Sequence, residues 1–383
     1  MSGQPAPGSN WTAAALRFAL AENAGGSTPI PPRAGPDTWA ETVFAVSHHR
    51  VAGILAPYAE ELGVPADVAE QLRGLHFANA ANALLLMAQT GDVATLLADA
   101  GVRSLAIKGV CLAAVQGRQL SSRGSGDLDV WIDPADIMRA VDALVAEGSG
   151  VHPPDPTPLL RGNAWRKRLY KWVTPEMVLS YRGTDLDLHW RLLRSPSHIR
   201  LDFDTAWARS VAVAKLGHNV RTLCPTDALR HVAAHGTKDY WATLRHVTDV
   251  VYLARMIDPE ELRQLAKSDC LVDLALTVAA HIAPELAHIA TGSRRTTRLA
   301  RQSWNACLSM QMRPQFVRAQ TGRTNIWLRL RILEWQVRSS PNLATALHPI
   351  IEAPISMNAV LDRAPFPIAV INDIRLRVRE SRR

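Results

Sequence analysis

The chain has 383 residues, 47% of them apolar, with a net charge of +8 and a sequence pI near 9.7. That length allows a large core and two or three domains, and the apolar fraction argues for a globular protein. The charge would suit an anionic partner, but only six of the 43 basic residues are lysine, which reads as arginine-rich composition more than as a nucleic-acid patch.

The N-terminus opens with Gly, Pro and Ser, and its first apolar stretch, Trp11 to Ala21, is interrupted by Arg17 and lacks a basic leader, so no signal peptide is expected. No uninterrupted apolar run approaches the roughly 18 residues of a membrane span. A cytoplasmic protein with no membrane association is expected. Trp11 to Asn23 has helical spacing, Ser27 to Pro36 is a Pro/Gly-rich turn, and Thr38 to Leu62 reads as one or two helices. Pro65 to Ala100 carries a long helical pattern through Val68, Leu72, Leu75, Ala78, Ala81 and Leu85, with Gly91 as a candidate break.

The pattern then changes. Arg103 to Ile107 reads as a strand, Val110 to Gln116 as a short helix, and Asp127 to Ile132 as a strand bounded by Gly126 and Pro134. Asp133 is the expected N-cap of a helix with Pro134 at its first position, apolar Ile137, Ala140, Val141 and Leu144, and Gly148 at its end. Leu169 to Val173, Met177 to Tyr181 and Asp185 to Trp190 read as further strands, and Val211 to Lys215 with Val220 to Leu223 as a hairpin. Beyond Pro225 helices are expected over Thr226 to Ala234, Trp241 to Met256, Pro259 to Leu265, Leu271 to Ala283, Arg298 to Met310 and Asn325 to Arg338. The expected fold class is α+β: a small mixed-sheet module over residues 101–224, flanked by helical regions over 1–100 and 225–383. Cys111, Cys224, Cys270 and Cys307 lie far apart with no C-x-x-C pair, so neither a disulfide framework nor a cysteine zinc cluster is indicated.

Chemistry concentrates in the middle. Asp127 and Asp129, at i and i+2 of a strand, point from one face and suit a divalent metal held against a triphosphate. Asp187, or Asp185 as the alternative, would add a third carboxylate from a neighbouring strand and serve as ligand and base. Lys108 and Gly109 stand where a strand gives way to a helix, a place for backbone N–H groups and an ammonium to meet phosphate. Arg123, in the loop before the pair, could reach a phosphate. His189 alternates onto the face of Asp187 as a candidate lining residue, and Trp190 turns toward the core. In this order the pieces point to nucleotidyl transfer, which needs a phosphate clamp, metal and a means of activating the acceptor.

Four stretches carry a family resemblance: Leu105 to Ala113, Arg123 to Ile132, Asp185 to Leu192, and His235-Gly236-Thr237-Lys238 with Trp241, Arg245 and Asp249. Together they cover roughly residues 70 to 260. They resemble the nucleotidyltransferases of the DNA polymerase β superfamily, in the branch of uncharacterised bacterial nucleotidyltransferases. The superfamily pattern has Gly-Gly or Gly-Ser at the phosphate turn and about a dozen residues before the carboxylate pair. This chain has Lys-Gly, and the 17 residues from 110 to 126 intervene. The resemblance implies a polymerase β-like fold and transfer of a nucleoside monophosphate from an NTP, ATP foremost, with Mg²⁺ (or Mn²⁺) on Asp127, Asp129 and Asp187. Lys108, Gly109, Arg123 and His189 would bind nucleotide, and the group from His235 to Asp249 would wall the nucleotide or acceptor.

The acceptor is expected to be a hydroxyl or phosphate on a small molecule, peptide or protein. The alternatives are a tRNA-type nucleic acid and a non-catalytic nucleotide-binding regulatory role. Arg161 to Trp172 interleaves positive charge with aromatics; it reads as a solvated strand edge, or else as a seat for RNA or a phosphorylated acceptor. The basic tail Arg375 to Arg383 reads as a solvated terminus.

Overall fold

A computed structural model describes residues 7–22, 35–153, 155–162, 164–193, 199, 201–309, 334–335 and 337–340. Most of the Ser27 to Pro36 turn, most of the Asn325 to Arg338 helix and the whole basic tail lie outside the described residues. The described residues form two compact units. One is helical and draws on the described residues within 7–87, 112–125 and 225–309; the other holds the sheet and draws on those within 88–111 and 126–224, with 334–335 and 337–340.

In the helical unit, Pro7–Glu22 and Pro36–His49 pack beside Pro225–Lys238, Leu244–Ala254, Pro259–Ser268, Cys270–Ala279 and Arg294–Ser309. The two helical regions that flank the sheet in sequence therefore share one unit. Polar contacts tie them: Arg17 donates to the His281 carbonyl at 2.6 Å, and Arg255 to the Leu20 carbonyl at 3.0 Å. Asp258 and Asp269 cap the helices that follow them by accepting from backbone N–H groups of the first turn.

The sheet unit contains strands β1 (Ser104–Ile107), β2 (Leu128–Ile132), β3 (Gly150–Val151), β4 (Glu176–Tyr181) and β5 (Thr184–His189) in the spatial order β1-β2-β5-β4-β3. Only β2 and β5 run parallel; the other neighbours are antiparallel. The fold is α+β with a mixed sheet, as expected. Strands β6 (Val211–Ala212) and β7 (Arg221–Thr222) form the separate hairpin. All residues of β1 and β2 are buried, whereas β4 alternates between buried and half-buried, as a strand with one covered face does.

Three local readings are corrected. Residues 169–173 belong to a helix, Ala164–Val173. Alternating basic and aromatic residues mimic a period of two, but helical spacing buries Tyr170 beside Trp190, with ring centroids 5.7 Å apart, and leaves Arg168 exposed. The helix expected to start at Asp133 begins at Ile137; Asp133 instead closes a short turn by accepting from the Ala135 N–H at 2.7 Å. Helix Ala66–Asp99 runs unbroken through Gly91. A Cβ at Gly91 would lie 2.6 Å from the Leu216 carbonyl oxygen, so glycine is there for close approach. Gly91→Ala is expected to destabilise the protein by about 1–2 kcal/mol, overpacking outweighing the gain of up to about 1 kcal/mol in helix propensity. Urea unfolding checks this, and an unchanged or raised midpoint would refute it.

The same helix has no apolar run near 18 residues but is apolar on average. By length and composition alone Ala66–Asp99 is apolar enough to cross a membrane, because it is rich in alanine and leucine and sparse in charge. Phe77, Leu84 and Leu85 are exposed on it.

Candidate active site

Strand register assembles the site. In the parallel pair β2/β5, Asp129 lies opposite Asp187 and Trp131 opposite His189, so both carboxylates project from one face of adjacent strands. Asp127, half-buried, sits one residue before β2. On the other side of β2, Ile107 pairs with Asp129, which puts Lys108 just past the end of β1. There the chain turns with two successive residues at positive φ, 59° at Lys108 and 49° at Gly109. Glycine adopts this region freely, but lysine pays on the order of 1 kcal/mol. Its side chain offsets that cost, because Nζ donates to Asp129 Oδ1 at 2.6 Å.

Asp129 is 5% exposed and holds a second cation. His189 Nε2 lies 3.0 Å from the same Oδ1, and His189 Nδ1 lies 2.9 Å from Glu176 Oε2. The β4/β5 register sets Glu176 opposite His189. The result is a chain of charges from Lys108 through Asp129 and His189 to Glu176. Burial alone would raise Asp129, but the Lys108 charge and the His189 hydrogen bond hold it well below the carboxylate range. Burial would lower His189, yet the Glu176 charge and the bond to Asp129 push it up to about 9. Lys108 is likewise raised, the neighbouring Asp129 outweighing desolvation.

Asp187 is the member without such compensation. Burial first, then the charges of Asp129 and Glu176, push it up to about 7. Four carboxylates, Asp127, Asp129, Glu176 and Asp187, face the two cations Lys108 and His189, so negative charge is in excess here, and Asp187 is the carboxyl that this excess and burial push up. Asp129, Asp187 and His189 each offer one ligand atom, all within 4.8 Å of one another. Carboxylate oxygens with surplus negative charge fit a hard divalent cation. Asp185 lies two residues further along the same face, 62% exposed and 3.5 Å from His152 Nε2, away from this group.

A carboxyl held protonated to higher pH in this way makes stability depend on pH with a defined sign. A carboxyl at 3.8 when unfolded and about 7 when folded contributes fully below pH 3.8, and the contribution is lost as pH rises through 7. With metal removed by chelator, Asp187→Asn should come closest to the wild type below about pH 3.8, where the carboxyl is protonated in both the folded and the unfolded chain, and the gap should open as pH rises. At pH 8 it should be more stable, by up to about 4 kcal/mol. Paired urea titrations at the two pH values check this; a variant less stable at pH 8 would contradict it.

Of the sequence candidates, Lys108, Gly109, Asp127, Asp129, Asp187 and His189 all belong to the sheet unit. Arg123 belongs to the helical unit, where it is 4% exposed and its Nε donates to both oxygens of the fully buried Asp249 at 3.0 Å. Arg118 Nη1 reaches the same Asp249 at 3.2 Å, and Arg245 donates to the Gly124 carbonyl at 2.8 Å. His235, Lys238 and Trp241 are also in the helical unit. Sequence reasoning missed Glu176. Its only signal is its position opposite His189, which requires the register of two strands to be known.

The family model described as uncharacterised nucleotidyltransferase matches residues 35–288. The chain belongs to this family. The match spans both carboxylate strands, the Lys108–Gly109 turn and the helices that carry His235 and Asp249. No curated protein and no solved structure matches the chain.

Proposed function

We propose that this member of the nucleotidyltransferase family transfers a nucleoside monophosphate from an NTP, ATP foremost, to a hydroxyl or phosphate on a small molecule, peptide or protein. The observation that carries the reading is the register of Asp129 against Asp187, with Asp127 two residues before and an uncompensated carboxylate charge between them. Asp127, Asp129 and Asp187 would hold Mg²⁺, or Mn²⁺ in its place, and His189 would brace Asp129. The bound cation supplies positive charge against the triphosphate.

The acceptor oxygen forms a bond to the α-phosphorus while the bond to pyrophosphate breaks, in line. Asp187, poised near neutrality, accepts the acceptor's proton. Lys108 shifts its ammonium from Asp129 to the triphosphate, and the Lys108–Gly109 turn lets the backbone come close to it.

A nucleic-acid acceptor is the second reading, favoured by helix Ala164–Val173, which belongs to the unit of the carboxylates and combines an exposed Trp165 with Arg166, Lys167, Arg168 and Lys171. The first test is thermal stability with each NTP, with and without Mg²⁺, for the wild type and for Asp127→Asn and Asp129→Asn. A magnesium-dependent rise with one NTP, lost in both variants, supports transfer and names the donor. No rise with any NTP in folded protein would count against it. Label transfer from that NTP to bulk tRNA, set against transfer to protein, then separates the two acceptor readings.

A further inference from the structure

The helical unit holds a second cluster of ligating side chains. His235 lies in the last turn of helix Pro225–Lys238, Asp239 follows that helix, and His246 lies in the first turn of helix Leu244–Ala254. His235 Nδ1 is 3.1 Å from Asp239 Oδ2, and the His235 and His246 ring centroids are 5.3 Å apart. One ligand atom from each residue lies within 4.8 Å of the others.

The turn between the helices is built unusually to hold them. Tyr240 and Trp241 are consecutive residues at positive φ, 60° and 54°. Side chains disfavour this region, and such backbone persists where its surroundings fix it. Trp241 is fully buried, and its N–H donates to the Gly236 carbonyl at 2.7 Å. Its indole lies so close over Gly236 that a Cβ there would come within 2.8 Å of the ring. This lock fixes the end of one helix against the start of the next, and with them the three ligands.

We propose that His235, Asp239 and His246 bind one divalent transition-metal ion, zinc foremost, in a three-ligand site with a position left for water or a substrate oxygen. Two imidazoles and a carboxylate suit zinc-class ions, whereas magnesium prefers oxygen donors throughout, so this site and the carboxylate site select different metals. An ion about 2.0–2.1 Å from tetrahedral donors sets them about 3.3 Å apart. The His235–Asp239 separation of 3.1 Å is close to that edge, so these two donors need little movement to share an ion. Lys238 Nζ, 3.5 Å from Asp239 Oδ1, weakens the attraction, so binding should be weaker than at a structural zinc centre.

The test uses the full-length chain stripped with chelator, titrated with Zn²⁺ by calorimetry and with Co²⁺ by visible absorption. The expected result is one equivalent of Zn²⁺ and a cobalt ligand-field band. Both should weaken at least tenfold in His235→Gln and in His246→Gln, and both should survive in Asp129→Asn. Asp239→Asn is the additional variant should a histidine change prevent folding, and circular dichroism verifies each fold. Absence of stoichiometric Zn²⁺ in folded wild type overturns the proposal. So does binding that persists in both histidine variants and disappears in Asp129→Asn, since it would place the ion among the sheet carboxylates.

Discussion

Replacing Asp129 by asparagine is expected to lower nucleotidyl transfer at least about 10³-fold and to destabilise the fold by about 3 kcal/mol. The first effect follows from losing a carboxylate that would neutralise and place the cation, an interaction worth several kcal/mol in the transition state. The second follows from what Asp129 holds. Lys108 Nζ at 2.6 Å and His189 Nε2 at 3.0 Å both rest on its Oδ1, and its side chain is 2% exposed. Removing the charge between two buried cations costs about 3–5 kcal/mol, with the low end expected because the Lys108 side chain keeps 18% exposure and can swing toward water. Asp187→Asn should lose comparable activity with no loss of stability at pH 8, since its charge is the uncompensated one. Label transfer below both melting temperatures, with chelated urea titrations of each variant, checks the pair. Equal destabilisation by the two changes would refute this charge arrangement.

Much of the fold was legible because its signals are local. Ile137, Ala140, Val141 and Leu144 recur at helical spacing and do bury one face, and Gly148, at φ 86°, does end that helix. Strand β2 stands between turn residues and emerges where expected. The misreadings arose where a local signal had two physical uses. Asp133 can cap a helix or close a turn, and the structure uses it for the turn. Residues 165–172 offer aromatics at both even and helical intervals, and packing of Tyr170 decides for helix. Gly91 can break a helix or admit a neighbouring backbone, and the Leu216 carbonyl makes it the second.

The site was legible in composition but not in pairing. Asp127 and Asp129 declare themselves by their spacing, and Asp187 by a matching alternation. That Asp129 meets Asp187 depends on a parallel pairing across more than fifty residues, and that Asp185 falls outside depends on where β5 meets solvent. Neither is encoded at short range. Glu176 was invisible for the same reason, and so was the use of Lys108 as the partner of Asp129. A lysine beside a glycine at a strand end suggests phosphate, while in the fold that ammonium meets the Asp129 carboxylate.

Asp249→Ala should be among the most destabilising single changes in the helical unit, by about 3–5 kcal/mol. Asp249 is fully buried, and it compensates Arg118 and Arg123, whose side chains are 3% and 4% exposed. Arg118 is further fixed by donating to Ser122 Oγ at 3.0 Å and to its carbonyl at 3.2 Å, with its guanidinium 4.2 Å from the Tyr252 ring centroid. Without the carboxylate, two guanidinium groups stay buried with like charges close together, and burial already lowers Arg118 below its ordinary value. Arg123→Met leaves Arg118 to pair with Asp249 and should cost less, about 1–3 kcal/mol. These variants also decide what Arg123 is for. If its work is the Asp249 pair, Arg123→Met binds NTP as tightly as the wild type at a temperature where both are folded. A tenfold or greater loss of NTP affinity, with stability unchanged, would return Arg123 to the phosphate role its place before the carboxylate pair first implied.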